Sequence, residues 1–132
     1  MNSVTSGAVM ESFSQYAKLQ NGNVTLQFSA LDTSCVSLIT VPDNTLILGY
    51  VYGNLKTQRL NGNLNIKDVI SGLVDINVSS VTVRQSTDYD YVLLPFLYKT
   101  TNEAKTLYIQ SYMNNSGIID LKVTYAFFNN KN

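Results

Sequence analysis

From Val24 to the C-terminus the chain is written in short apolar runs separated by turn residues, and several of the runs repeat every second position. Ile118–Phe128 is the clearest. Ile119, Leu121, Val123, Tyr125 and Phe127 fall on one side, and Asp120, Lys122, Thr124 and Ala126 on the other, a period of two that predicts a half-buried strand. Val24–Phe28 alternates likewise. Cys35–Val41 is a second run, closed by the turn residues Pro42-Asp43-Asn44. Leu46–Tyr52 is continuously apolar and predicts a central strand covered on both faces. Leu55–Leu60 is more polar and is expected to pair with it across Gly53-Asn54. Asn61-Gly62 reads as the next turn, echoing Asn21-Gly22.

Leu64–Leu73 fits either a helical turn or a short strand. Ile76–Arg84 holds two alternating pairs, Ile76/Val78 and Val81/Val83, whose phase slips at Ser79-Ser80. A β-bulge there would return both pairs to one face. Tyr91–Lys99 is apolar but contains Pro95, which cannot donate to a ladder, so it predicts an edge strand or two strands meeting at a bend. Thr106–Met113 is a further strand, separated from the last by Asn114-Asn115-Ser116-Gly117.

The first residues follow a different period. In Asn2–Leu19, Thr5 is placed to cap a helix, because its hydroxyl can accept a bond from a first-turn N–H. Val4 and Val9 occupy the positions of a hydrophobic staple. Val9, Phe13, Tyr16 and Ala17 then recur at helical spacing as one apolar stripe, while Glu11, Ser12, Ser14, Gln15 and Lys18 fall opposite. Asn21-Gly22 supplies a stop. A helix of about 13 residues is marginal alone in water, so its stripe needs something to pack against.

Turns every 8–14 residues and no helix-length crossovers predict an all-β fold. The expected architecture is an antiparallel β-sandwich, jelly-roll-like, or a small barrel, preceded by one short N-terminal amphipathic helix. Residues 1–20 are then a helix for oligomerisation or attachment, and residues 21–132 a globular β domain. At 132 residues one core is expected.

Charge narrows the functions. Nine basic and nine acidic residues cancel, so no field draws the chain to nucleic acid or to an anionic membrane, and no basic stripe is visible. No apolar stretch approaches the roughly 20 residues that span a bilayer as a helix, and no secretory signal opens the chain. Charged residues make up only 14%, so Asn, Ser, Thr and Gln supply much of the polar surface, a composition suited to assembly contacts or sugar recognition. Cys35 is the one cysteine and there is no histidine. That removes an intramolecular disulfide and the thiolate–imidazole pair, and Cys35 reads as a small core residue on a strand.

Chemistry is thin. Asp88-Tyr89-Asp90-Tyr91 is the one concentrated acidic segment. Its two carboxylates could help hold Ca²⁺ or hydrogen-bond a sugar, but no Ca²⁺-loop spacing accompanies them, and a solvated turn is the simpler reading. There is no Gly-rich phosphate cradle and no G-x-S-x-G. No enzymatic activity, cofactor or metal is expected. Eight of the nine tyrosines, Tyr50, Tyr52, Tyr89, Tyr91, Tyr98, Tyr108, Tyr112 and Tyr125, fall in or beside expected strands. They fit core and subunit contacts, and also recognition surfaces.

The string Ser3-Val4-Thr5-Ser6-Gly7-Ala8-Val9, followed by Met10-Glu11-Ser12-Phe13, resembles a module of tailed-bacteriophage fibre and receptor-binding virion proteins. In that family S/P-V-T-S-x-A-V precedes a short helix beside a trimerisation region, leading into a β-rich domain. The resemblance covers residues 2 to about 19. It implies a homotrimer whose interface includes Val4, Val9, Met10, Phe13, Tyr16 and Ala17, attachment to other capsid or tail proteins through the N-terminus, and a place in the virion after synthesis in the host cytoplasm. The family's long coiled coil or collagen-like stretch is missing upstream. The chain is therefore expected to be either a small complete virion protein or a piece of a longer fibre.

Two functional expectations follow. The first is a virion structural protein, a small trimeric fibre, spike or capsid decoration protein. The second is the tip domain of a tail fibre that binds a host surface glycan or protein, with Asp88, Tyr89, Asp90 and Tyr91 and the stretch Lys99–Lys105 as contacts. A glycan depolymerase is disfavoured by the scattered acids.

Overall fold

The computed structural model describes residues 18–55, 59–68, 77–84 and 91–130, and every regular element among them is a β-strand. The strands are β1 (Gln20–Phe28), β2 (Thr33–Val41), β3 (Thr45–Asn54), β4 (Asn61–Lys67), β5 (Asn77–Arg84), β6 (Tyr91–Lys99), β7 (Lys105–Met113) and β8 (Gly117–Asn129). Two antiparallel four-stranded sheets form, in the orders β1-β8-β3-β6 and β2-β7-β4-β5. The first strand pairs with the last, the second with the seventh, the third with the sixth and the fourth with the fifth. The chain thus behaves as one long hairpin bent over itself, which is the winding of a jelly roll. The two sheets remain separate ladders, so the fold is a sandwich and not a barrel.

Alternation explains the core. Leu26 and Phe28 of β1, Ile47 and Val51 of β3, Leu94 and Phe96 of β6, and Ile119, Leu121 and Val123 of β8 turn inward. They meet Leu64 and Ile66 of β4 and Leu107, Ile109 and Met113 of β7 in a single cluster. Each large side chain taken fully out of water contributes about 1.5–3 kcal/mol before entropy is counted.

Several sequence expectations are met and several corrected. Pro95 lies in β6, an edge strand, as its missing donor requires. The bulge of β5 exists but sits one residue earlier than expected. Ile66 pairs with Ser79 and Lys67 with Asn77, so Val78 is the extra residue. A second irregularity falls between Ser37 and Ile39 in β2.

The two Asn-Gly pairs are not turns. Asn21 and Gly22 lie within β1, opposite Thr124 and Val123, and Asn61 and Gly62 open β4. Gly62 is needed for close approach: a Cβ there would stand 1.9 Å from the Tyr112 carbonyl oxygen on β7. Nor is Gly53-Asn54 a hairpin. Both residues continue β3, whose neighbours are β6 and β8, while the chain after Leu55 leaves for the other sheet. Short local pairing gives way here to long-range winding that buries Leu55 and Leu60. Within Leu64–Leu73 the strand alternative holds as far as Lys67. The helix expected over the N-terminal residues lies outside the described residues up to residue 17.

One end of the sandwich is tied by Thr100. Its Oγ1 accepts from the Thr45 N–H at 3.0 Å and donates to the Pro42 carbonyl, while Thr100 N–H donates to the Thr45 carbonyl at 2.8 Å. Asn130 joins the same end by donating from its side chain to the Thr100 carbonyl at 3.0 Å.

Candidate interaction surface

In an antiparallel ladder, directly opposed residues point to the same face, so register decides what each sheet shows to solvent. On the outer face of the β1-β8-β3-β6 sheet, Leu48 opposes Leu97, Tyr50 opposes Pro95, and Tyr52 opposes Leu93. All six are exposed, with Leu93 at 56% and Leu97 at 58%. Tyr91 extends the patch at the end of β6, its ring stacked on Tyr52 with centroids 5.5 Å apart. At the other end a shallow cleft of about 530 Å³, lined by Leu46, Leu97, Tyr98, Lys99 and Asn130, continues it.

The other half of that face is polar except for Ile118, exposed at its end. Thr25 of β1 donates to Asp120 of β8 at 3.0 Å, and Thr124 of β8 donates to Asn21 of β1 at 2.9 Å. Each bond joins residues directly opposed in the ladder. One sheet therefore carries a hydrogen-bonded polar half and an apolar half side by side.

The opposite sheet is polar across its width. Asn63 lies between Thr82 and Tyr112, and Asn65 between Ser80 and Gln110. Cys35 and Thr33 of β2 continue these rows. Cys35, expected in the core, is instead half-buried on this outer face.

Leu46–Tyr52 was expected to be covered on both faces. Within one copy it is covered on one: Ile47 and Val51 enter the core, while Leu48, Tyr50 and Tyr52 face out. Sequence reasoning therefore missed the patch. The signal was present, because Leu46–Tyr52 and Tyr91–Lys99 are apolar in both phases, and a strand in a two-layer sandwich has only one inner face.

Of the residues named from sequence, Val4, Val9, Met10, Phe13, Tyr16 and Ala17 lie outside the described residues, as do Asp88, Tyr89 and Asp90. Tyr91 is described and exposed. Lys99, where the other expected stretch begins, is at the opposite end of β6 from Tyr91, about 26 Å away. Tyr98 faces inward, and its hydroxyl donates to Asp68 Oδ2 at 2.7 Å. Burial first, then that bond and the nearby negative charges of Asp68 and Glu103, hold this hydroxyl well above the ordinary tyrosine range. Tyr125 is also part-buried and donates to Gln20 Oε1 at 3.3 Å. Among the described residues no group of three or more His, Cys, Asp or Glu side chains could hold a metal ion.

No protein-family model and no curated protein matches the chain. Among solved structures, a chain of the infectious bursal disease virus structure (Gx strain) aligns over 87% of this chain and 33% of its own length, with 12% identity and a TM-score of 0.45. This chain thus spans about a third of that neighbour. A likeness of that extent decides neither family nor function.

Proposed function

We propose that this chain is a virion structural protein of a tailed bacteriophage, a small trimeric fibre, spike or capsid decoration protein. The observation that supports it best is the divided outer face of the β1-β8-β3-β6 sheet. Contiguous exposed apolar area of this kind marks a contact surface rather than a catalytic one. The N-terminal Ser3–Val9 string points to phage virions, and the threefold state rests on that resemblance, since twofold symmetry is commoner in general. Mass spectrometry of purified particles from a lysate producing the chain tests the reading. Stoichiometric presence, with a native mass three times the 14.7 kDa protomer, is expected. Absence from particles would sink it.

A second reading is favoured by the other sheet. Its outer face of Asn63, Asn65, Tyr108, Gln110 and Tyr112 offers amides and phenols to a polar ligand without charge, as host-glycan recognition by a fibre tip requires. Binding of the purified chain to host cells, abolished by Asn65→Ala with Tyr112→Ala, would favour the tip domain. Particle incorporation without host binding favours the purely structural role.

A further inference from the structure

We infer that the outer face of β3 and β6 is the surface on which a second copy of this chain packs, sheet face against protein, burying Tyr50, Tyr52, Leu93 and Leu97. The inference rests on the assembly reading above and names the surface that serves it.

Area points to an ordered macromolecular partner. Leu48, Tyr50, Tyr52, Tyr91, Leu93 and Leu97, each at about half exposure, present roughly 600 Å². Pro95 among them, with Leu46 and Phe128 at the border, brings the face near the roughly 800 Å² that each partner buries in a standard interface. Charge points to the chain itself. The centre of the patch carries none, Lys99 and Lys122 stand only at its border, and a protein of zero net charge does not repel its own copies.

The edge of β6 excludes the other way in which two sheets could join. Pro95 has no N–H to offer, and its carbonyl already accepts from Ser79 Oγ at 2.6 Å. A strand added alongside β6 would therefore meet a spent acceptor and a missing donor at its middle. Copies meet through the face. This also accounts for the two-phase apolarity of Leu46–Tyr52, since a central strand of an assembled particle is covered on both sides even though one protomer covers only one.

Sedimentation velocity on the full chain at tens of micromolar, with Leu93→Glu and Asn23→Glu, tests the inference. Asn23 lies on the polar half of the same sheet, so it receives an equal charge outside the patch. Wild type and Asn23→Glu should run as the same oligomer, and Leu93→Glu should associate on the order of tenfold or more weakly. An oligomer unchanged by Leu93→Glu, or a monomeric wild type, overturns the inference.

A measurement on the unaltered protein stands independently of variant folding. Tyr50, Tyr52 and Tyr112 are similarly exposed in one copy, at 44%, 39% and 42%. Tetranitromethane should nitrate Tyr112 several-fold faster than Tyr50 and Tyr52, and equal rates overturn the inference. Failure of the virion reading is separate: it shows as absence of the chain from particles, whichever way Leu93→Glu behaves.

Discussion

Tyr52 on β3 and Tyr91 on β6 stack with ring planes 20° from parallel, although the ladder places Leu93, not Tyr91, opposite Tyr52. This is the diagonal contact of a sheet, which only a large ring spans. It pins the first residue of β6 to the sheet. Tyr91→Ala should lower stability by about 0.5–1 kcal/mol, and Tyr91→Phe should restore nearly all of it. Urea midpoints of the two variants check this, and an unchanged Tyr91→Ala would mean the rings touch without holding.

Thr100 closes the opposite end, and its role is polar, not steric. Thr100→Val keeps the shape but leaves the Thr45 N–H and the Pro42 carbonyl without the hydroxyl. A cost of about 1–3 kcal/mol is expected, as for buried groups stripped of a partner. Thr100→Ser should recover most of it. Equal losses from Val and Ser would assign the effect to the methyl group.

Ser111 gives the reverse case. It is fully buried on β7, beside Ser34 and Leu64 in the ladder, and its Oγ has no hydrogen-bond partner among the described residues. Removing a buried hydroxyl that makes no hydrogen bond takes away a desolvation cost. Ser111→Ala should be neutral or more stable by up to about 1 kcal/mol. Thermal unfolding decides it, and a clear loss would reveal an acceptor for that hydroxyl.

Tyr98 couples stability to alkaline pH. Its folded-state proton is held above the ordinary tyrosine value by burial and by Asp68, whereas in the unfolded chain it leaves near pH 10. Above that pH the unfolded state binds fewer protons than the native one, so stability falls as pH rises. The contribution is complete below about pH 10 and drains away above it. Unfolding midpoints between about pH 9 and 11 should fall less steeply for Tyr98→Phe than for wild type. Parallel slopes would remove Tyr98 from the titration.

Where local pattern and tertiary demand coincide, the fold was legible. The alternation of β8, the edge placement forced by Pro95 and the need for a bulge in β5 all follow from backbone chemistry within one segment. Reasoning failed where a distant strand decides. Asn21-Gly22 and Asn61-Gly62 carry turn chemistry, yet β8 and β7 recruit them into ladders, and at Gly62 the close approach of Tyr112 uses the missing Cβ rather than a turn. Gly53-Asn54 failed for the same reason. The exposed face of β3 and β6 was hidden by a different ambiguity, because an apolar residue reads alike whether its cover is its own chain or another.

The pairing of the first strand with the last sets a timetable. Gln20 finds Tyr125 across the ladder, so β1 leaves the ribosome long before its neighbour exists. β8 also fills the centre of its sheet, between β1 and β3; without it β1 has no ladder to join and β3 keeps only β6. Contacts this distant in sequence slow folding. A nascent chain halted before Gly117 can pair β3 with β6 but cannot complete the four-stranded sheet beneath the apolar patch, which closes only when β8 arrives.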